Sequence, residues 1–243
     1  MVSRPSGAIL AAGRGDRLRD AVDGLPKPLV KLGAETLLAR QANAMVAMGL
    51  RPVLGIINSE TARLIEARAL SMPQELELCV RDTPNSMESL FALGEQLPDG
   101  LVIAVTVDAV MDLNEFRRFV KLALGLTDPA STPSFDGALG VVRWRGDRKP
   151  LFAEVALDAT ITQLGHEQSR TVTAGVYLLP SRVFDYAQTA RAAGLGALRQ
   201  FLAMLMTSGM RFGAVELNDV IDVDDESDLN AARAMLARCT PAI

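Results

Sequence analysis

Up to Val107 the chain alternates short apolar runs with helix-patterned segments, and this alternation restricts the possible folds more than any other feature. The apolar runs are Ala8–Ala12, Val53–Ile57, Leu76–Val80 and Leu101–Val107. Helical spacing runs from about Glu35 to Met48, from Ser59 to about Leu70 and from Ser86 to Leu97. Such an order implies parallel strands joined by crossover helices, with ligands held beyond the carboxyl ends of the strands. Downstream the pattern changes. Phe135–Trp144, Leu151–Leu157, Ile161–Leu164 and Thr171–Leu179 read as successive strands with little helix between them, an antiparallel or mixed section that would cover a second ligand. Helices at about Ser181–Ala190 and Gly196–Thr207, strands at Phe212–Val215 and Val220–Val223, and a helix starting near Asp225 close the chain. Thr127–Ser134 carries the strongest loop signal and reads as a surface connection. With 243 residues, 49% of them apolar, the sequence suits one large α/β domain with a sizeable core.

The first apolar run passes directly into Gly13-Arg14-Gly15-Asp16-Arg17-Leu18, and Pro26-Lys27-Pro28-Leu29 follows. Glycines let backbone N–H groups approach a ligand, and successive N–H groups in a turn make an anion-binding concavity. Arg17 can fork onto phosphate oxygens, whereas Lys27 offers a compact charge whose backbone is restricted by a proline on each side. Two common phosphate motifs are excluded. Neither glycine precedes a Lys-Ser/Thr pair, as a P-loop requires, and Leu18 stands where the dinucleotide fingerprint needs its third Gly or Ala. The remaining constellation suits a nucleoside triphosphate attacked at its α-phosphorus.

Leu10 to Leu18, together with Pro26-Lys27-Pro28-Leu29, resembles the signature of the nucleotidyltransferases that join a nucleoside triphosphate to a sugar phosphate or phospho-alcohol. Within that superfamily the chain is most similar to the phosphocholine and inositol-phosphate cytidylyltransferases. The resemblance implies a single domain with a Rossmann-like, three-layer α/β fold and a mixed sheet of the GT-A-like type. Its nucleotide-binding half would span about 1–110, and its acceptor-binding, metal-completing half about 111–243. It also assigns Leu10, Ala11, Ala12, Gly13, Gly15, Arg17 and Lys27 to the nucleotide, with Arg17 and Lys27 catalytic.

Two acidic positions follow. Asp108 ends the apolar strand Leu101–Val107, where it is either a turn residue or an oxygen ligand for Mg²⁺, a cation that takes one or two carboxylates plus substrate phosphates. The resemblance makes it a metal ligand, although Val107 replaces the glycine usual at that point. The cluster Asp222-Val223-Asp224-Asp225-Glu226-Ser227-Asp228 has the composition of a helix N-terminus. By resemblance Asp224 completes the metal site, and Asp222 is the alternative because strand alternation puts both on one side.

The polar turn Arg81–Leu90 has N-cap spacing at Asn85 or Ser86. It resembles the loop that lines the nucleotide site in phosphocholine-type relatives, which nominates Asn85, Ser86 and Ser89 and points to CTP. Gly175 lies in a strand resembling the one that passes close to the acceptor. Lys149 is the candidate cation for the acceptor phosphate, with Arg143, Arg145 and Arg148 as alternatives. His166 reads as a surface residue and Trp144 as strand packing.

A net charge of -4 argues against broad nucleic-acid or anionic-membrane binding. The chain shows no secretory segment and no membrane-length apolar run, and Cys79 and Cys239 form no metal or disulfide pattern. A cytoplasmic protein is expected, and no sequence feature sets its oligomeric state. The expected reaction takes an NTP and a phosphorylated small molecule to a nucleoside-diphosphate conjugate and pyrophosphate. Rival readings are a hexose- or heptose-1-phosphate uridylyl- or guanylyltransferase, a glycosyltransferase using Asp222 and Asp224, and a non-catalytic nucleotide-binding regulator.

Overall fold

In the computed structural model, the segment Ser6–Ala11 forms β1, and every side chain in it is buried. Ala8, Leu10 and Ala12 pack into one core while Ile9 and Ala11 pack into another, so this strand is covered on both faces. Residues 4–13, 15–19, 22, 24–146, 150–165 and 167–239 are described. After β1 come the short helix α1 (Asp16–Arg19), a 3₁₀ turn at Lys27–Leu29, the ribbon β2 (Lys31–Leu32) and β3 (Glu35–Thr36), and α2 (Leu37–Ala47). The units β4 (Val53–Ile57) and α3 (Ser59–Ala67), then β5 (Leu76–Val80) and α4 (Ser86–Gly94), lead to β6 (Leu101–Thr106). The strand β7 (Ala109–Val110), the helix α5 (Leu113–Leu126) and the strands β8 (Gly137–Arg143), β9 (Phe152–Val155), β10 (Ile161–Leu164) and β11 (Thr171–Pro180) follow. A 3₁₀ segment (Ser181–Tyr186), α6 (Ala187–Ala192), α7 (Leu198–Thr207), β12 (Phe212–Glu216), β13 (Ile221–Asp222) and α8 (Glu226–Cys239) complete the order.

One nine-stranded mixed sheet contains most of these strands, in the path β10-β9-β11-β6-β1-β4-β5, with β8 joined to β11 and β12 joined to β8. The neighbours of β1 are parallel to it, whereas β11 runs antiparallel to β6, β8 and β9. Phe116 and Phe119 of α5, together with α2 and α8, cover one face of the sheet. On the other face α4 and α7 meet through Phe91 and Phe201, whose rings contact edge-to-face at 4.8 Å. The result is the three-layer α/β arrangement expected from the sequence.

The clearest differences from the sequence reading are two boundaries and one added helix. The expected helix at Glu35 begins at Leu37, because Glu35 and Thr36 pair with the preceding residues as β3, and Thr36 Oγ1 caps the helix by accepting from Ala39 N–H at 3.1 Å. Ser181–Ala190 splits into a 3₁₀ segment and α6. The helix α5 had no counterpart among the expected elements. Its signals are Asp112, which caps Asn114 and Glu115, and the helical spacing of Phe116, Phe119, Val120 and Ala123.

Sheet order places the site. From β1 the chain winds to β4 and β5 on one side, then returns to β6 on the other, so the strand order reverses between β1 and β6. A crevice at the carboxyl ends of two such strands is where open α/β sheets hold ligands.

Candidate active site

The β1 and β6 ends are tied together where Val107 N–H donates to the Leu10 carbonyl at 3.1 Å. Val107 fits this turn: it is buried in the core, and it is not among the described residues with a left-handed backbone. Asp108 follows directly. Asp222 and Asp224 arrive from β13, which pairs with β7 through Ile221–Val110 and Asp222–Ala109, while Val223 N–H donates to the Asp108 carbonyl at 3.0 Å. Oxygens of Asp108, Asp222 and Asp224 thereby come within 4.8 Å of one another. Asp224, assigned by resemblance, and Asp222, its alternative from strand alternation, both lie beside Asp108. Asp225 and Asp228 serve the helix itself, with Asp228 Oδ2 accepting from Asp224 and Asp225 N–H and Asp225 Oδ1 accepting from Asp228 N–H.

Lys27 reaches this cluster from its 3₁₀ turn and is 7% exposed. Its Nζ donates to Asp108 Oδ2 at 2.9 Å and to Asp224 Oδ1 at 2.8 Å, and Arg17 Nη2 donates to Asp224 Oδ2 at 2.6 Å. Burial by itself would lower the lysine's proton affinity. The pull of Asp108 and the hydrogen bonds that Lys27 donates to both carboxylates outweigh it and hold Lys27 above the ordinary lysine range. For Asp224 burial acts upward, and contacts with Lys27 and Arg17 overcome it, leaving this carboxyl below its ordinary range. Gly15 explains how the lysine packs: its φ is +63°, and a Cβ there would lie 2.7 Å from Lys27 Cβ. Gly15 therefore makes room for the cation.

Two cavities open onto this cluster. One, of about 620 Å³, is lined by Leu10, Ala12, Gly13, Gly15, Lys27, Asn85 and Ser86, all expected nucleotide residues, and also by Thr83 and Pro84. Asn85 caps α4 here, its Oδ1 accepting from Glu88 N–H at 3.0 Å. Two nominated residues face elsewhere. Ala11 points into the opposite core, and Ser89 is buried, with its hydroxyl 2.6 Å from that of Thr83 and donating to the Asn85 carbonyl at 3.2 Å. Ser89 thus ties the turn to its helix from behind the cavity wall.

The second cavity, of about 470 Å³, contains Gly175 in its wall with Thr173, Tyr177, Arg145, Arg199, Val142, Leu151 and Asp222. Gly175 has φ +69°, and a Cβ there would meet Thr106 Oγ1 at 2.6 Å and Ala109 Cβ at 2.8 Å. It sits in the register shift between Thr173 and Tyr177, and both of these residues line the cavity. Burial drives the Tyr177 phenol well above its ordinary range, and the Asp222 and Asp108 charges add to this against a hydrogen bond with Thr173. Arg145 lines this cavity and bonds to Asp219 Oδ1 at 3.2 Å. Lys149 and Arg148 lie outside the described residues, as do Arg14 and His166. Trp144 packs edge-to-face on Phe152 at 5.4 Å beside Arg145. Thr106, Thr173, Tyr177 and Arg199 escaped the sequence reading; the available signals were the end of β6 for Thr106, proximity to Gly175 within β11 for Thr173 and Tyr177, and the first turn of α7 for Arg199.

Arg17, Ser86, Thr106, Asp108 and Asp224 line both cavities, so the two spaces meet over the carboxylates.

A family profile described as the MobA-like NTP transferase domain matches residues 7–176. Among solved structures, the inositol-1-phosphate CTP transferase from T. maritima aligns over 99% of this chain and 98% of its own, with TM-score 0.76 and 14% identity. A Bacillus anthracis protein described as a glucose-1-phosphate thymidylyltransferase, crystallised with sucrose, aligns over 98% and 97%, with TM-score 0.78 and 16% identity. At these identities the likeness is one of fold. No curated protein matches the sequence significantly. No helix among the described residues is long and apolar enough to cross a membrane.

Proposed function

The chain belongs to the MobA-like NTP transferase domain family, and we propose that it transfers a nucleotidyl group, CMP in the first instance, from an NTP to a phosphorylated small molecule with release of pyrophosphate. The observation that carries this reading is the pair of cavities meeting at Asp108, Asp224 and Arg17. Two ligands seated in them would face one another across the charged cluster. The preference for CTP rests on the turn Arg81–Leu90, whose Asn85 and Ser86 line the larger cavity.

In this reading the loop Leu10–Gly15, Lys27, Asn85 and Ser86 hold the nucleotide, and the cavity around Gly175, Thr173 and Tyr177 holds the acceptor. An oxygen of the acceptor phosphate, already anionic near neutral pH, forms the new bond to the α-phosphorus. The α–β phosphoanhydride bond breaks, and its electron pair leaves with pyrophosphate, so no general base is required. Lys27 offers its charge to the α-phosphate, Arg17 offers its guanidinium to the departing pyrophosphate, and positioning supplies most of the remaining rate. Three carboxylates that can bring oxygens within 4.8 Å of one another form a donor set that fits Mg²⁺. Held by Asp108, Asp224 and Asp222, that cation would neutralise phosphate charge and polarise the reacting phosphoryl group.

Thermal melting with CTP, UTP, GTP and ATP, each with and without Mg²⁺, tests the nucleotide. A nucleotide at 100 times its Kd stabilises by about 2.7 kcal/mol, which raises Tm by about 5–10 °C in a chain of this length. A magnesium-dependent shift selective for CTP supports the reading, and pyrophosphate release then identifies the acceptor among phospho-alcohols and sugar phosphates. Selectivity for UTP or GTP would move the assignment to a sugar-1-phosphate transferase. Binding without pyrophosphate release across the acceptor panel would make the protein a regulator, and no shift with any nucleotide would overturn the reading.

A further inference from the structure

We propose that Lys27 is the resident counter-cation of the carboxylate cluster, so that a divalent cation gains the site only together with the nucleotide's phosphates. The inference rests on the metal-dependent reading above and adds an order of assembly to it. Lys27 takes one oxygen each from Asp108 and Asp224, at 2.9 and 2.8 Å, and Arg17 takes the other oxygen of Asp224 at 2.6 Å. Both oxygens of Asp224 are thus already engaged by cations. A divalent ion arriving alone has to displace one of them to bind Asp224, and it meets a cluster in which Asp108 and Asp224 are already held by cations.

The two cations are held unequally. The Lys27 side chain is 9% exposed, whereas that of Arg17 is 46% exposed. Dislodging the buried ammonium with nothing to receive it would strand a charge away from water, which is costly. The nucleotide cavity supplies a receiver. Lys27 lines it beside Gly13 and Gly15, where triphosphate oxygens would lie, and its flexible stem can swing the ammonium from carboxylate to phosphate. Triphosphate binding then frees Asp108 and Asp224 as the new negative charge enters, and the two events favour one another. By linkage the coupling is reciprocal: the metal raises nucleotide affinity by the factor by which nucleotide raises metal affinity.

The test is Mn²⁺ binding, followed by electron paramagnetic resonance on the full chain without nucleotide or acceptor, for wild type and Lys27→Met. Methionine keeps an unbranched stem without the charge. The expected result is weak Mn²⁺ binding by wild type and binding about tenfold tighter, or more, in Lys27→Met. Arg17→Met, which vacates the other Asp224 oxygen at an exposed position, is expected to tighten it by only about threefold. If Lys27→Met does not fold, as judged by circular dichroism, Lys27→Gln, which keeps a polar end for the carboxylates without the charge, takes its place. An unchanged or weakened Mn²⁺ affinity in the folded variants would overturn the proposal. In a second arm, the affinity of wild type for the α,β-methylene analogue of CTP is measured with and without Mn²⁺. It should rise with the metal, and the rise should be smaller in Lys27→Met. Equal affinities in wild type would overturn the coupling. A wild type that binds no nucleotide would overturn the proposed function and with it joint uptake, while the nucleotide-free arm would still decide whether Lys27 holds the cluster.

Discussion

Gly175→Ala separates a glycine required by the sheet from one required by a ligand. At φ +69° an alanine adopts the left-handed conformation, which costs about 1–2 kcal/mol. Its methyl group would also stand 2.6 Å from Thr106 Oγ1 and 2.8 Å from Ala109 Cβ, inside van der Waals contact with two elements that hold the base of the site. Relieving such overpacking typically costs a further ~1–3 kcal/mol. The expected loss is therefore about 2–5 kcal/mol, a fall in Tm of about 5–15 °C for a chain of this length. Urea unfolding monitored through the single tryptophan, Trp144, measures it. Gly125→Ala in α5 is the control. No atom lies within 4 Å of its virtual Cβ and its φ is not positive, so alanine should stabilise by about 0.5–1 kcal/mol. Thr106→Ala in the Gly175→Ala background should recover part of the clash but none of the dihedral cost. A loss below about 1 kcal/mol in Gly175→Ala alone would refute the reasoning and return this glycine to a role in ligand approach.

Three other outcomes are expected. Lys27→Ala should lower turnover by at least about a hundredfold in a pyrophosphate-release assay, as for the loss of one preorganised charge; a near-normal rate would remove Lys27 from the chemistry. EDTA should abolish pyrophosphate release, and added Mg²⁺ should restore it; activity that survives chelation would contradict a carboxylate-bound metal. Glu88, on the first turn of α4, is held below the ordinary glutamate range by hydrogen bonds from Arg191, with burial opposing them. A depressed carboxyl contributes stability that is present above its ordinary range and lost as pH falls through the folded value. Glu88→Gln should thus melt below wild type at neutral pH, and the gap should close as pH falls below the ordinary glutamate range; a gap independent of pH would exclude the ion pair as its source.

Much of the fold was legible because its signals are local. The apolar run Ala8–Ala12, the helix cap at Asn85 and the strand that leads to Asp108 are each specified by a few consecutive residues. The helix α5 was equally local, with Asp112 ahead of a helical apolar stripe, yet the acidic and loop-like residues flanking it masked the pattern. Boundaries such as Thr36 slipped because pairing between β2 and β3 overrides helix propensity. Ser89 and Ala11 show a different limit. Each adjoins residues that line a cavity, but side-chain direction depends on the strand's two-residue period or on a contact with Thr83, which a linear motif does not reveal.

The sequence by itself determined the ingredients: a phosphate-suited loop after the first strand, a lysine between two prolines, and carboxylates at strand ends, all expressed in residue type and short spacing. Tertiary structure alone decided what they face. Asp222 and Asp224 reach Asp108 because β13 pairs with β7 across more than a hundred residues of chain, and Lys27 meets two carboxylates distant in sequence. Gly175 is required by Thr106 and Ala109 on neighbouring segments. The physical reason is that backbone conformation is set mainly by adjacent residues, whereas electrostatic and steric partnership depends on distance in space, which the chain acquires only when the sheet closes.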